Sequence, residues 1–367
     1  MLFHLLPQFA DVHIVFNVFR YITFRAAGAV VTSLLVAFIA GPAIIRWLER
    51  LKVGEVVREH GPDHAHKAGT PTMGGVIIIL AAALSTVLWA ALDNPYTLLA
   101  LLSLLWMGGI GFLDDWLKVV VGRPEGLVAR YKMVGQWTFG LGLGALLLWQ
   151  PISPLPTTQT SVPFFSDWSA VFWAPAFVVF VGIVVSGTSN TVNLTDGLDG
   201  LAAGLTAIAS ATFGILAYVT GRVDTSSYLG LFYLPGSGEL SIFAMALAGG
   251  AIGFLWFNAH PAQVFMGDTG SLSLGGSLGV MAILLKSEFL LVIVGGVFVL
   301  EGVSVMAQVG WFRYTRSRFG EGRRIFRMAP IHHHFEKLGW PETKVVTRFW
   351  ILGILCAMVA MSTLKIR

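Results

Sequence analysis

The residues best able to do chemistry stand in five short polar stretches between long apolar ones. Residues 189–200 hold Asn193, Asp196 and Asp199 among hydroxyls and glycines, with no Lys or Arg in the stretch. Carboxylates without a base beside a bilayer are costly unless a cation binds them, so a metal, or a phosphate ligand held through one, is the first expectation. The other four stretches share this character. One runs from His64 to Gly75 with Lys67, Thr70 and Thr72; a second begins Asp114-Asp115-Trp116-Leu117-Lys118 and reaches Lys132. A third runs from Asn258 through His260, Phe265 and Asp268 to Ser271; the last contains Pro330-Ile331-His332-His333-His334-Phe335-Glu336. Phosphoryl transfer fits this inventory: acids hold Mg²⁺, cations neutralise phosphate oxygens, and Gly-rich turns let backbone N–H groups approach. No G-x-x-x-x-G-K-[ST] or G-x-G-x-x-G occurs, so nucleotide-hydrolysing P-loops and dinucleotide folds have no support. A lipid phosphate monoester would be mostly dianionic at neutral pH and would need positioning more than a strong base.

Each stretch also has a plainer reading. Asp268 and Asp199 precede helices, where an acid caps free N–H groups and complements the dipole. Asp114 and Asp115 end a helix, which the dipole disfavours, and their mutual repulsion calls for Mg²⁺ or Lys118. Lys67 and Lys132 could be topology markers, and Thr70 and Thr72 turn residues beside Pro71. Phe265 could pack in its loop or stack on a ligand. Glu301, inside an apolar run, is either paired with a neighbouring helix or lines a polar cavity. The histidine run lacks the i, i+4 spacing of zinc ligands, and adjacent helical side chains diverge by about 100°, so binding an anionic ligand is the better reading.

The elements that carry these stretches follow from composition. Of 367 residues, 55% are hydrophobic and 12% charged, with a mean hydropathy of +0.75, which defines an integral membrane protein. Apolar runs at 24–47, 74–92, 97–113, 133–149, 170–186, 201–219, 240–257, 271–285, 289–312 and 346–364 predict about ten transmembrane helices. The fold class is therefore all-α, polytopic, one membrane domain over 1–367, with residues 1–20 read as a retained interfacial segment. Of the 24 Lys and Arg residues, 18 fall on the first, third and ninth loops, the even loops hold only Arg222 and Lys286, and the remaining four, Arg20, Arg25, Lys365 and Arg367, flank the termini. By the positive-inside rule the odd loops are cytoplasmic and both termini lie outside. Every polar stretch then lands on a cytoplasmic loop, at about 48–73, 114–132, 187–200, 258–271 and 313–345. The even loops look like connectors, and the Pro-rich stretch near 150–170 has no assigned role. A net charge of +4 is a topology signal and weak evidence for nucleic acid.

The combination of Asp114-Asp115-x-x-Lys118, Asn193-Leu194-Thr195-Asp196-Gly197-Leu198-Asp199-Gly200, Phe265-Met266-Gly267-Asp268-Thr269-Gly270-Ser271 and the His332 stretch resembles the bacterial phospho-N-acetylmuramoyl-pentapeptide transferases. They form a branch of the polyprenyl-phosphate N-acetylhexosamine-1-phosphate transferase superfamily. The resemblance spans nearly the whole chain, and the histidine stretch is its branch-specific mark. It implies transfer of phospho-MurNAc-pentapeptide from UDP-MurNAc-pentapeptide to undecaprenyl phosphate, giving lipid I and UMP with Mg²⁺, on the cytoplasmic face of the bacterial inner membrane. It also implies roles. Asp268 binds the metal; Asp114 and Asp115 act near the prenyl phosphate, joined in catalysis by Lys118 and Lys132. Asn193, Asp196, Asp199 and Asn258 shape the nucleotide side with Lys67 and Thr72, Phe265 stacks on uracil, and His332, His333 and His334 contact the substrate. A homodimer in the bilayer is implied as well. The rivals are a sister transferase moving GlcNAc-1-phosphate, which the histidine stretch disfavours, and a transporter. A transporter should place polar residues at mid-membrane in repeated halves, and no repeat is seen.

Overall fold

The computed structural model describes residues 1–51, 69–123, 125–165 and 168–365. Fourteen α-helices are found among them. They are α1 (Leu2–Leu5), α2 (Ile22–Arg50), α3 (Gly75–Trp89), α4 (Pro95–Val119), α5 (Ala129–Trp149), α6 (Ala174–Thr195) and α7 (Leu201–Thr220), then α8 (Val223–Leu229), α9 (Gly238–Asn258), α10 (Gly267–Leu284), α11 (Glu288–Val294), α12 (Gly296–Phe319), α13 (Ile331–Lys337) and α14 (Glu342–Ser362). Each of the ten apolar runs coincides with one of these helices or, for the ninth, with the pair α11 and α12, which are bent by 86° at Gly295. Six helices, α2, α4, α6, α7, α9 and α14, are long and apolar enough to cross a membrane alone; the bent pair makes a seventh. The remaining runs are shorter, as in the 15 residues of α3, or richer in glycine and serine, as in α10. A helix satisfies every backbone group internally, which the hydrocarbon layer demands.

The core is built by close backbone approach. α10 is buried along almost its entire length, against α3, α4 and α6. Glycines permit this. A side chain at Gly75 would strike the backbone of Gly270, and one at Gly111 would strike the carbonyl of Asp268. Small residues at such crossings let helices associate through dispersion and close contact, the driving force left when the surroundings are as apolar as the helices.

The helix ends explain where the polar residues go. α4, α6 and α9 finish at the end of the bundle where α3, α5 and α10 begin, so their termini gather there. The residues expected in loops 114–132 and 187–200 lie largely on helices, because α4 continues through Val119 and α6 through Thr195. This gives Asp114, Lys118 and Asn193 fixed directions that a loop would not.

At the opposite end, Arg25 is 1% exposed and pairs bidentately with Glu239, at 2.7 and 2.5 Å. Glu239 also accepts the N–H of Ala91 at 2.9 Å, so one carboxylate joins the ends of α2, α3 and α9. Expected in sequence as a flanking charge, Arg25 is a structural clamp. The 150–170 connector forms a hairpin of β1 (Gln159–Ser161) and β2 (Ser169–Val171), antiparallel, with Thr160 opposite Ala170. Lys286 holds it by donating to the carbonyls of Pro156, Thr157 and Gln159 at 2.8, 3.1 and 3.2 Å. Burial draws the Lys286 ammonium below the usual lysine range, and the nearby Glu288 charge works against that shift.

Breaking a buried pair by removing one partner costs about 3–5 kcal/mol, whereas replacing both with apolar groups is often neutral. Glu239→Ala is therefore expected to lower the thermal transition markedly, and Arg25→Met combined with Glu239→Leu to recover most of it. Thermal unfolding of the purified protein in detergent checks this; equal loss in the single and double variants would contradict the clamp.

Candidate active site

Asp115 is the residue around which the site is assembled. It is 3% exposed near the end of α4 and turns into the start of α10. Its Oδ1 accepts the N–H of Asp268 at 3.2 Å, and its Oδ2 accepts the N–H and hydroxyl of Thr269 at 2.8 and 2.7 Å. Orphan N–H groups and a positive dipole end make this a favourable place for a carboxylate. The sequence suggested that Asp268 would cap its own helix, but Asp115 does so from α4. Between them, Gly267 adopts φ +70°, and a side chain there would come within 2.6 Å of Asp115 Oδ2 and 2.9 Å of Thr72 Oγ1. Only glycine takes that conformation and that space without strain.

With α10 so capped, the Asp268 carboxylate faces the lysines. Its Oδ2 lies 2.5 Å from Lys132 Nζ and 3.6 Å from Lys118 Nζ, while its Oδ1 accepts the Asn193 amide at 2.9 Å. Asn193 also donates to Ser271 Oγ at 2.8 Å. Asp114 pairs with Lys118, one helical turn on, and with Lys132 at 3.0 Å. Leu127 N–H donates to Asp114 Oδ1 at 2.8 Å, folding the connector to α5 over the pair. The two lysines are thus constituents of the acidic cluster and do more than mark topology.

Exposure divides the cluster. Asp114 and Asp115 are buried, whereas the side chains of Lys118, Lys132 and Asp268 remain 34%, 22% and 16% exposed. An arriving anion meets the two ammonium groups first. Carboxylate oxygens of Asp114, Asp115 and Asp268 lie within 4.8 Å of one another, a hard-oxygen donor set that could hold a metal. Three carboxylates against two ammonium groups leave one negative charge over, which suits a divalent cation such as Mg²⁺.

Thr72 and Phe265 join the cluster through backbone pairing. Phe265 N–H donates to Pro71 O, and Gly74 and Gly75 N–H groups donate to the carbonyls of Phe265 and Met266, all at 2.8–2.9 Å. This short ladder fixes the Phe265–Gly267 turn against the start of α3. The intervening Met73 is fully buried with φ +71°, a conformation that L side chains rarely hold without support from their surroundings. Lys67 lies outside the described residues.

A second group surrounds the start of α7. Asp199 Oδ2 accepts the N–H of Ala262 and contacts His260 Nδ1, each at 3.1 Å, and its own N–H donates to Glu342 Oε1 at 2.7 Å. Glu342 Oε2 lies 3.6 Å from the same imidazole. Asn258 accepts the N–H of Gly200 and donates to Val264 O, each at 2.9 Å, tying the two loops together. His260 and Glu342 were not singled out from sequence. The only signal was their place on the polar face, His260 in a quoted stretch and Glu342 just after Pro341.

The histidines separate in role. His332 is completely buried, with Nδ1 3.1 Å from Glu301 Oε2, so Glu301 is paired with a neighbouring helix. The other edge of the His332 ring lies against Gly197, where any side chain would strike Nε2. The loop carrying Asp196 and Asp199 therefore rests on His332. His333 contacts Glu336 at 2.6 Å, and His334 Nδ1 accepts the N–H of Arg327 at 3.1 Å; both remain partly exposed.

Acids and lysines thus converge at one end of the helices of an all-α membrane protein, a set of groups suited to phosphoryl transfer, as in an integral membrane transferase. Comparison with known proteins agrees. Residues 96–286 match the glycosyl transferase family 4 model, and residues 67–79 match signature 1 of phospho-N-acetylmuramoyl-pentapeptide-transferase. The chain is 58% identical to the phospho-N-acetylmuramoyl-pentapeptide-transferase of Gemmatimonas aurantiaca, 51% to that of Desulfatibacillum aliphaticivorans and 50% to that of Citrifermentans bemidjiense. Each match covers 100% of both chains. The chain belongs to the phospho-N-acetylmuramoyl-pentapeptide-transferase family.

Two substitutions separate building the site from using it. Thr269→Val removes one donor to a buried carboxylate, and a hydrogen bond to a charged group is worth about 1.5–3 kcal/mol. It is expected to lower the thermal transition while part of the turnover survives. Asp268→Asn is expected to leave the transition near that of the parent and reduce turnover about a hundredfold or more. Unfolding curves measured alongside initial rates check both; a stable, fully active Asp268→Asn protein would remove Asp268 from the chemistry.

Proposed function

We propose that this chain transfers phospho-MurNAc-pentapeptide from UDP-MurNAc-pentapeptide to undecaprenyl phosphate, forming lipid I and releasing UMP. The observation that carries this reading is the convergence of the partly exposed Lys118, Lys132 and Asp268, with the buried Asp114 behind them, where the helix ends gather. A soluble nucleotide sugar and a lipid phosphate can both reach such a place. The reaction forms a bond between a lipid phosphate oxygen and the sugar-bearing phosphorus and breaks that phosphorus's bond to UMP. The names of the full-length relatives support this assignment.

In this reading Lys118 and Lys132 neutralise the phosphate oxygens, and Asp114 holds the two ammonium groups apart and oriented. Asp115 positions Asp268 and does not touch substrate, because its oxygens are turned into α10. Asp268, with Asp114 and Asp115 close by, would hold Mg²⁺, which when bound supplies charge neutralisation and polarises a phosphoryl oxygen. Asn193, Asp196, Asp199 and Asn258, with Lys67 and Thr72, form the nucleotide side, and Phe265 stacks on uracil. His333 and His334 face the sugar phosphate, while His332 supports the Asp196–Asp199 loop from beneath. The enzyme works as a homodimer in the bacterial cytoplasmic membrane with its site on the cytoplasmic face.

The direct test is UMP release by purified protein, which should require undecaprenyl phosphate and a divalent cation and should favour UDP-MurNAc-pentapeptide over UDP-GlcNAc. Preference for UDP-GlcNAc would assign the sister activity. Base stacking on an aromatic is worth roughly 1–3 kcal/mol, so Phe265→Ala should weaken binding of the UDP substrate about 5- to 150-fold. The apparent affinity for the lipid should change less; equal losses for both would mean that the turn has collapsed.

A further inference from the structure

The connector at 150–170 takes no part in the proposed chemistry. It lies at the end of the bundle opposite the acidic cluster, since α5 and α10 begin at the cluster and end here, and α6 does the reverse. The hairpin is held firmly. Besides the three carbonyls on Lys286, Ser161 N–H donates to Lys286 O at 2.9 Å, and the Thr160 hydroxyl bonds both Lys286 O and the Glu288 carboxylate. Phe172 stacks on Phe180 of α6 at 4.5 Å between ring centroids, and Phe180 meets Phe289 of α11 at 6.0 Å. One side of the hairpin is therefore packed on the helices.

Its other side is aromatic and bare. Phe165 is 57% exposed and Trp168 72%, with their rings 5.9 Å apart, and Phe164 is exposed beside them. Trp173, the residue before α6, is 77% exposed. From Gln150 to Trp173 the sequence carries a single charge, Asp167, and no Lys or Arg. A hairpin pinned by this many contacts cannot turn these rings inward, and leaving them in water forgoes the transfer free energy of large apolar surfaces. The depth is set by α6, a membrane-crossing helix whose first turn follows Trp173 directly. Tryptophan and other aromatics at that level favour the boundary between headgroups and acyl chains.

We propose that the hairpin is a membrane-interface anchor, with Phe164, Phe165, Trp168 and Trp173 seated in the headgroup boundary of the leaflet opposite the acidic cluster. The occupant is lipid and not a charged partner, because one acid in a connector without Lys or Arg offers little for a charged surface to pair with, whereas four exposed aromatics suit the headgroup boundary. This assignment is independent of the transferase reading and survives or fails apart from it.

The test uses full-length protein in phosphatidylcholine nanodiscs. With Cys356, the only cysteine, replaced by serine, Phe165→Cys, Trp168→Cys and Asp224→Cys are each given a nitroxide label. Collision with oxygen, which concentrates in lipid, is compared with collision with a water-soluble nickel chelate. The ratio of oxygen to nickel collisions is expected to be severalfold higher at 165 and 168 than at the exposed position 224. Equal ratios would place the hairpin in water, and exclusion of both reagents would mean that protein, such as a second copy, covers it; either result overturns the proposal. A label-free measurement stands beside this one. Lipids brominated close to the headgroup should quench more fluorescence from the parent than from Trp168→Phe, and no difference would also overturn the anchor.

Discussion

One carboxylate determines the arrangement of the site. Asp115 binds three donors at the start of α10, more than 150 residues away in the chain, and thereby fixes the height and rotation of α10 against α4. Buried carboxylates require such compensation, so the position is tightly constrained. With α10 so placed, Asp268 points toward Lys132, Lys118 and Asn193, and Gly111 and Gly267 provide the room for that approach. The adjacent acids thus do different work. Neighbouring residues on a helix point about 100° apart, so Asp115 serves the neighbouring helix while Asp114 serves the lysines.

The result is a site supported from beneath. Asp114, Asp115 and His332 are buried and bind other protein groups, whereas Lys118, Lys132 and Asp268 meet the surroundings. A centre that must hold two like-charged ammonium groups close together needs this foundation, because their repulsion would otherwise drive them apart. Rigid helix ends supply it better than loops would, since each side chain leaves a backbone already committed to one direction.

Much of this was legible in the residues. The ten apolar runs fall on helices because a membrane-spanning helix must be apolar along its length, and that leaves a plain trace in composition. The polar stretches were found because charge beside a bilayer is rare and therefore conspicuous. What the sequence did not reveal is which acid meets which base. The capping of α10 by Asp115, the pairing of His260 with Asp199 and Glu342, and the buried contact of His332 with Glu301 all join distant segments, and no local pattern encodes them. Arg25 was read as a flanking charge for the same reason, since its partner Glu239 lies 214 residues away. The break at Gly295 was hidden too, because α11 and α12 together read as one apolar run.

The helix α10 carries Asp268 at its first turn and runs into Lys286 just past its last. Its 18 residues span about 27 Å, and an α-helix resists compression along its axis. It is a strut fastened at both tips, to Asp115 at one and to the β-hairpin at the other. The acidic cluster and the hairpin, at opposite ends of the bundle, are consequently tied to the two tips of a single helix.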